Sequence, residues 1–257
     1  MITHWNDLTS PELEKLAALD PVAVMALGAI EQHGPHLPLA TDLIIAEGLR
    51  DAALKSLSPK RPFLVLPSLA IGASHEHGNF AGTLSLTADQ AVGVIRSVGE
   101  SIHRAGIKRL VLINAHGGNH AVMTLAALDL RRRLGLLVVK ASYLRFDPPE
   151  GVIAAEELRQ GLHGGQAETA IMLYLAPDQV RIDQVRDFPS VAESHRSDVL
   201  GPEHPAAWAW LAEDLNPAGV VGRASQATAE LGKRLVAHYG NLLSRVLAEA
   251  GEWEVGW

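Results

Sequence analysis

Residues 22–42 read VAVMALGAIEQHGPHLPLATD, an apolar run that turns at Gly28 into a loop carrying Glu31, His33, His36 and Asp42. The run Val22–Leu27 shows no polar alternation, the pattern of a strand covered on both faces. Beyond the loop a helical pattern begins, with Leu43, Ala46, Leu49, Ala53 and Leu57 on one stripe of residues 42–57. A buried strand, a loop rich in reactive side chains and an amphipathic helix make the repeating unit of a parallel α/β sheet. Active sites of such sheets lie beyond the carboxyl ends of the strands.

The same unit recurs outward from this stretch. Apolar runs at 63–66 (FLVL), 110–113 (LVLI) and 136–139 (LLVV) predict three more buried strands. Thr87 and Gln90 form a capping-box pattern that opens a helix over 87–105. Another helix is expected over 119–133, where Gly135 can supply the C-terminal cap. Shorter helices are expected at 156–160 and 167–175. A final amphipathic helix over 227–250 carries Leu231, Leu235, Tyr239, Leu242 and Val246 on one face. Residues 178–217 have no clear period and read as a surface wrap. Near the start, Ser10-Pro11 and an acidic first turn predict a capped helix. The expectation is an α/β fold: a mostly parallel sheet with right-handed crossovers and helices on both faces, as one domain over 1–257.

Composition removes several kinds of chemistry. The 257 residues include no cysteine, so thiolate metal sites, iron–sulfur clusters, disulfides and cysteine nucleophiles are excluded. Acidic residues outnumber basic ones 29 to 22, a formal charge of −7 that disfavours nucleic acid as a partner. The apolar runs are too short to span a bilayer, and the N-terminal residues lack the basic start and apolar centre of a signal peptide. A cytoplasmic protein with no membrane partner is expected. Metal or acid–base chemistry must then rest on Asp, Glu and the 12 histidines.

Seven of the 12 histidines fall in four strand-end segments: residues 28–42, 72–86 (GASHEHGNFAGTLSL), 113–120 (INAHGGNH) and 163–168 (HGGQAE). Glu31 and His33, two apart, share a side of an extended chain and can face one ion. Imidazole with carboxylates suits Zn, Mn or Fe(II). Asp42 can extend that set, and it equally suits a helix N-cap. His116 precedes Gly117-Gly118, a turn that admits a ligand close to the backbone, with Asn119 as the expected cap. The turn lacks the spacing and the lysine of a phosphate-binding loop. Glu168 falls in the first turn of the helix after His163. Ser74, His75, Glu76 and His77 line the second loop.

Together these motifs, Glu31-x-His33-Gly…Pro38…Asp42, Asn114-x-His116-Gly-Gly-Asn119 and His163-x-Gly-x-x-Glu168-Thr169, resemble the creatininase (creatinine amidohydrolase) family. The segment Gly72-x-Ser74-x-Glu76-His77…Gly82-Thr83 is similar to that family's second loop, and 219–230 to its C-terminal region. The resemblance implies a three-layer sandwich and a hydrolase with two divalent ions, acting on a cyclic amide, a formamide or a modified peptide. It implies that Glu31 and His116 bind one ion and His33 the other, with Asp42 between them and Glu168 as a further ligand of the second. In creatininase itself an acidic residue stands two positions after the third-motif histidine. Here that position is Gly118, which leaves Glu168 to serve. An aromatic residue that creatininase places upstream of the fourth-motif histidine is replaced by Arg159, Gln160 and Gly161. Both departures point away from creatinine as the substrate.

The mechanism expected from these residues has a hydroxide shared by the two ions attack the amide carbonyl. His163 gives a proton to the leaving nitrogen. Ser74, His77 and the Gly117 backbone amide hold the substrate. Two other readings use the same residues: a metal-dependent lyase or phosphoesterase, and a non-catalytic metal-binding member of the fold. The family's tendency to form hexamers implies a homo-oligomer, and Trp208, Trp210, Trp253 and Trp257 are candidates for its contacts.

Overall fold

The six residues of Val22–Leu27 offer water no polar face, and in the computed structural model all six are buried. They form β2, the centre of a five-stranded parallel sheet. The structure describes residues 1–194, 197, 199–203 and 206–255. The expectation for Trp257 lies outside the described residues. The strands are β1 (Ile2–His4), β2, β3 (Phe63–Val65), β4 (Arg109–Asn114) and β5 (Leu137–Ser142), in the order β1-β3-β2-β4-β5. Val22 pairs with Phe63 on one side and Arg109 on the other, so the carboxyl ends of β2, β3 and β4 converge.

Between the strands run α1 (Ser10–Ala17), α2 (Thr41–Ser56), α3 (Ala88–Arg104) and α4 (Asn119–Leu134). The later helices are α5 (Ala155–Gln160), α6 (Gln166–Leu175), α7 (Ala212–Leu215) and α8 (Ala229–Glu252). Alternate residues of β2 feed two cores. Val22, Val24 and Ala26 pack with Ile45 and Leu49 of α2, Ile171 of α6 and Leu235 of α8. Ala23, Met25 and Leu27 pack with Ile95 of α3 and Met123 of α4, bordered by Leu13 and Leu16 of α1. This is the expected sheet with helices on both faces.

Local signals behave as their chemistry requires. The Thr87 hydroxyl accepts from the Gln90 amide at 3.3 Å, and Gln90 Oε1 accepts from the Thr87 amide at 2.9 Å. Gly135 closes α4 at φ 69°, a left-handed position that favours glycine. Some readings change. The N-cap of α1 is Thr9 rather than Ser10, because Glu12 reaches back to the Thr9 amide at 2.8 Å. Asn119 is not the cap of α4, and Asp42 sits inside the first turn of α2, whose cap is Ala40. Along α8 the buried face runs through Leu243 and Leu247, with Leu242 and Val246 at its edge. Finally, Ile2–His4 adds an edge strand beside β3. Three residues carry too little period to announce one.

The described residues between 178 and 217 run mostly in short turns, as expected, with a two-residue strand at Asp187–Phe188 that pairs antiparallel with Gly222–Arg223. Trp208 and Trp253 are exposed and Trp210 is half-buried. Among the described residues no helix is long and apolar enough to cross a membrane.

The α6–α8 crossing gives a direct test of the packing. A Cβ on Gly232 would lie 1.8 Å from the Ala170 carbonyl oxygen, so only hydrogen fits there. Gly232→Ala is expected to cost about 3 kcal/mol and to lower the melting midpoint by roughly 6–12 °C. An unchanged thermal melt would show that the two helices separate freely.

Candidate metal centre

Parallel pairing of β2 and β4 brings the first and third loops side by side, and Asn119 locks the second to them. Its Nδ2 donates to the Gly28 carbonyl at 3.0 Å and its Oδ1 accepts from the Ala73 amide at 3.1 Å. The fourth segment is joined by Val221, whose amide donates to the His163 carbonyl at 2.8 Å. Buried Glu157 accepts from the amides of Gln166 and Arg223 at 2.8 and 2.9 Å, fixing the start of α6 that carries Glu168.

Within this frame Glu31, His33, Asp42, His116, His163 and Glu168 come together, all buried. His116 Nδ1 lies 3.3 Å from Glu31 Oε1 and 3.2 Å from Asp42 Oδ2. His33 Nε2 lies 3.3 Å from Asp42 Oδ1 and 4.0 Å from Glu168 Oε2. Asp42 therefore turns one oxygen to each histidine. Ligand atoms about 2.0–2.1 Å from a tetrahedral ion stand about 3.3 Å from one another, which the three separations from Glu31 and Asp42 match. Both Glu31 carboxylate oxygens, Asp42 Oδ2 and His33 Nε2 are buried with no hydrogen-bond partner. Orphaned acceptors of this kind need a cation. The sets Glu31–Asp42–His116 and His33–Asp42–Glu168 each gather ligand atoms within 4.8 Å, as does Glu31–His33–His163.

Backbone carbonyls decide which ring nitrogen of each histidine faces inward. A carbonyl only accepts, so the nitrogen against it carries a proton, and the other is the one that offers a lone pair when the ring is neutral. His116 Nε2 donates to the Ala73 carbonyl at 2.8 Å, which leaves Nδ1 facing Glu31 and Asp42. His33 Nδ1 sits 3.1 Å from the Glu31 carbonyl, which leaves Nε2 facing Asp42 and Glu168. His163 Nε2 donates to the Gln32 carbonyl at 2.8 Å and turns Nδ1 toward Glu31 Oε1, 3.7 Å away.

The charges are strongly coupled. Burial disfavours the charged ring of His33, but Asp42, Glu168 and Glu31 outweigh it and hold the pKa at about 9. His116 is likewise raised against burial by Glu31 and Asp42. Burial lifts the Glu168 carboxyl to about 7 although His33 opposes it. Asp42 is held well below the ordinary carboxylate range, since His33 and His116 overcome its burial. Burial, reinforced by His33, lowers His163 to about 3, so that ring is neutral.

Ligation requires deprotonated rings and carboxylates, so metal uptake at these residues would expel protons held by His33, His116 and partly Glu168. Titration calorimetry in buffers of differing ionisation enthalpy is expected to show about two protons released per protein at pH 7. Affinity should fall as pH drops from 9 to 6, because protonated His33 and then Glu168 compete with the ion. A pH-independent affinity over that range would contradict this centre.

The profile of the Creatininase family, described as creatinine amidohydrolase, matches residues 6–247. The chain belongs to the creatininase family. Among its relatives, a mycofactocin precursor peptide peptidase from Mycobacterium tuberculosis is 30% identical over 246 residues, covering 90% of this chain and 86% of that protein. Creatinine amidohydrolase from Pseudomonas putida is 34% identical over 206 residues, covering 72% and 76%. A pyrimidine deformylase, acting on 2-amino-5-formylamino-6-ribosylaminopyrimidin-4(3H)-one 5'-monophosphate, from Methanobrevibacter ruminantium is 29% identical over 151 residues, covering 58% and 57%. The crystal structure of creatinine amidohydrolase superposes with a TM-score of 0.79 at 25% identity, covering 98% of both chains. A manganese form of creatininase gives 0.76 at 26%, covering 96% and 97%. This family member is a hydrolase, and its fold is theirs.

Relative to creatininase, the departure at Gly118 has a steric cause. A Cβ there would meet the Ala73 carbonyl oxygen at 2.1 Å and both Glu76 Oε1 and His116 Nε2 at 2.6 Å. The Glu76 carboxylate, lifted by burial, occupies that space 3.6 Å from His116 Nε2. Ser74, expected to hold substrate, is fully buried with its hydroxyl 3.3 Å from His116 Nε2. That is the ring edge turned away from Glu31 and Asp42, so Ser74 supports His116 instead of meeting a ligand. His77 lies inside the cluster, its Nε2 3.4 Å from Glu31 Oε1 and its ring stacked 4.2 Å from that of His163. Gly117 is exposed, with open space around its Cβ position. Sequence reading missed Gln32, Asn119 as a staple and Glu157, and it gave His36 no role. His36 is fully buried and its Nε2 lies 3.1 Å from the Gly164 carbonyl. Gln32, between two ligand-type residues, was the one with a visible signal.

Proposed function

We propose that this creatininase-family protein is a binuclear metal-dependent amidohydrolase that opens a C–N amide bond in a small-molecule or modified-peptide substrate. The observation that carries this reading is Asp42, a buried carboxylate whose two oxygens face His33 and His116 separately. Glu31, Asp42 and His116 would hold one divalent ion, and His33, Asp42 and Glu168 the other; zinc, manganese or iron(II) suits these donors. Ions held there would polarise the substrate carbonyl and lower the pKa of attacking water.

The protein's own groups complete the chemistry. His163, neutral and with Nδ1 bare toward Glu31, can take a proton inside the site and pass it to the departing nitrogen. Its Nε2–H, fixed on the Gln32 carbonyl, keeps the ring from turning as the proton moves. The exposed Gly117 turn lets a substrate approach the main chain closely. Creatinine is not the substrate proposed, since Gly118 has no room for the acidic residue found in creatininase.

Metal analysis of the purified protein, followed by a panel of lactams, formamides and short peptides, tests the proposal. Two divalent ions per chain and release of a new amine with a new carboxylate are expected. Uptake of ions with no turnover of any of these amides would establish the non-catalytic metal-binding reading, and a folded protein that takes up no ion would overturn the binuclear one. Turnover with elimination or phosphate release and no amine would establish the lyase or phosphoesterase one.

A further inference from the structure

Three of the inward histidines rest on backbone carbonyls; His77 does not. Its Nδ1 lies 2.8 Å from Gln32 Nε2, an amide nitrogen that can only donate. The orientation of that amide is settled by its other partners. Gln32 Oε1 accepts from the Gly34 amide at 2.9 Å, and Nε2 donates to the Gly219 carbonyl at 2.6 Å. Turning the amide over would set two donors together at Gly34 and two acceptors together at Gly219. Gly219 itself must be glycine: φ is +78°, and a Cβ would fall 2.4 Å from Gln32 Oε1. The second hydrogen of Nε2 therefore points at His77, whose Nδ1 must present a lone pair.

We infer that Gln32 is a positioning residue that fixes His77 as its Nε2–H tautomer, so that His77 faces the centre as a hydrogen-bond donor and not as a metal ligand. The same residue sets the opposite tautomer relation in His163 through its main-chain carbonyl. One residue, placed between Glu31 and His33, thus gives two neighbouring rings opposite inward faces: a lone pair on His163 and an N–H on His77. The donor stands 3.4 Å from Glu31 Oε1, beside the atoms that gather a cation, and offers its hydrogen to a substrate oxygen gaining negative charge. The sets of ligand atoms within 4.8 Å include His33, His116 and His163 but not His77. The substrate role rests on the hydrolase reading above; the tautomer does not.

Ring-nitrogen NMR of zinc-loaded, 15N-histidine-labelled protein tests the inference without any substrate. His77 is assigned by the signal that disappears in His77→Gln. A protonated Nε2 with an unprotonated Nδ1 is expected, and a protonated Nδ1 overturns the inference. Gln32→Met, which keeps the length and removes the donor, should abolish the exclusive tautomer; persistence of that tautomer shows that Gln32 does not impose it. His77→Gln, which retains an N–H, should still bind two zinc ions, whereas loss of an ion makes His77 a ligand and overturns the inference. If the Gln32 variant does not fold, the wild-type spectrum and the zinc content of His77→Gln still decide. Once a hydrolysed amide is identified, Gln32→Met is expected to lower kcat about 100-fold with KM little changed. Should no amide be hydrolysed while the tautomer is as stated, the hydrolase reading fails and the positioning role of Gln32 stands.

Discussion

Asp42→Ala is expected to strip the centre of both ions and to lower kcat/KM on any hydrolysed amide by at least about 10³-fold, a loss of some 4 kcal/mol of transition-state stabilisation. The size follows from the position of this carboxylate. Its oxygens lie 3.3 Å from His33 Nε2 and 3.2 Å from His116 Nδ1, so it belongs to two of the three ligand sets, the two proposed to hold the ions. Removing Glu168 would deplete one of these two sets; removing Asp42 leaves both of them with two groups. The truncated site also loses the anion that most strongly supports the charged His33 ring, so the His33 pKa should drop from about 9. Metal content and turnover, measured on a variant shown to be folded, check this. Two ions retained with full activity would remove Asp42 from the mechanism.

Gly118→Glu is the second large effect, and its direction runs against simple motif restoration. An acidic residue at this position would match creatininase, yet the Ala73 carbonyl lies 2.1 Å from where its Cβ must go. That carbonyl is the acceptor that fixes His116 Nε2 at 2.8 Å. Making room therefore displaces the group that aims the His116 lone pair at Glu31 and Asp42. A destabilisation of about 3 kcal/mol is expected from overpacking, with metal affinity weakened roughly 10–100-fold through the lost supporting bond. Thermal melts and metal titration measure the two effects separately. A variant that melts like the parent and binds ions as tightly would show that the second loop yields easily, and that Glu76 and residue 118 do not compete for one space.

Much of the fold was legible because its strands are buried on both faces. Val22–Leu27 and Arg109–Asn114 are continuous apolar runs or nearly so, and burial on two sides leaves no other pattern available. The Thr87 cap and the Gly135 stop were readable because each acts on its own neighbours. The edge strand Ile2–His4 was not legible, since its pairing with Phe63–Val65 is an interaction across sixty residues. The same division runs through the site. Glu31, His33, His116 and Glu168 are conspicuous as residue types at strand ends. Ser74 read as a residue that holds substrate, and only the direction in which the His116 ring faces shows that it stands on the far side of that ring from Glu31 and Asp42.

The sequence by itself determined that this chain builds a parallel α/β sheet and that its chemistry rests on imidazoles and carboxylates. Both follow from local pattern and from the absence of cysteine. Tertiary structure alone decided how those groups are used. Whether an imidazole offers a lone pair or a hydrogen depends on the partner of its far nitrogen, and those partners come from distant segments. Ala73 serves His116 across 43 positions, Gln32 serves His163 across 131, and Gly219 holds Gln32 across 187. A hydrogen bond has direction, and no spacing along the chain encodes it.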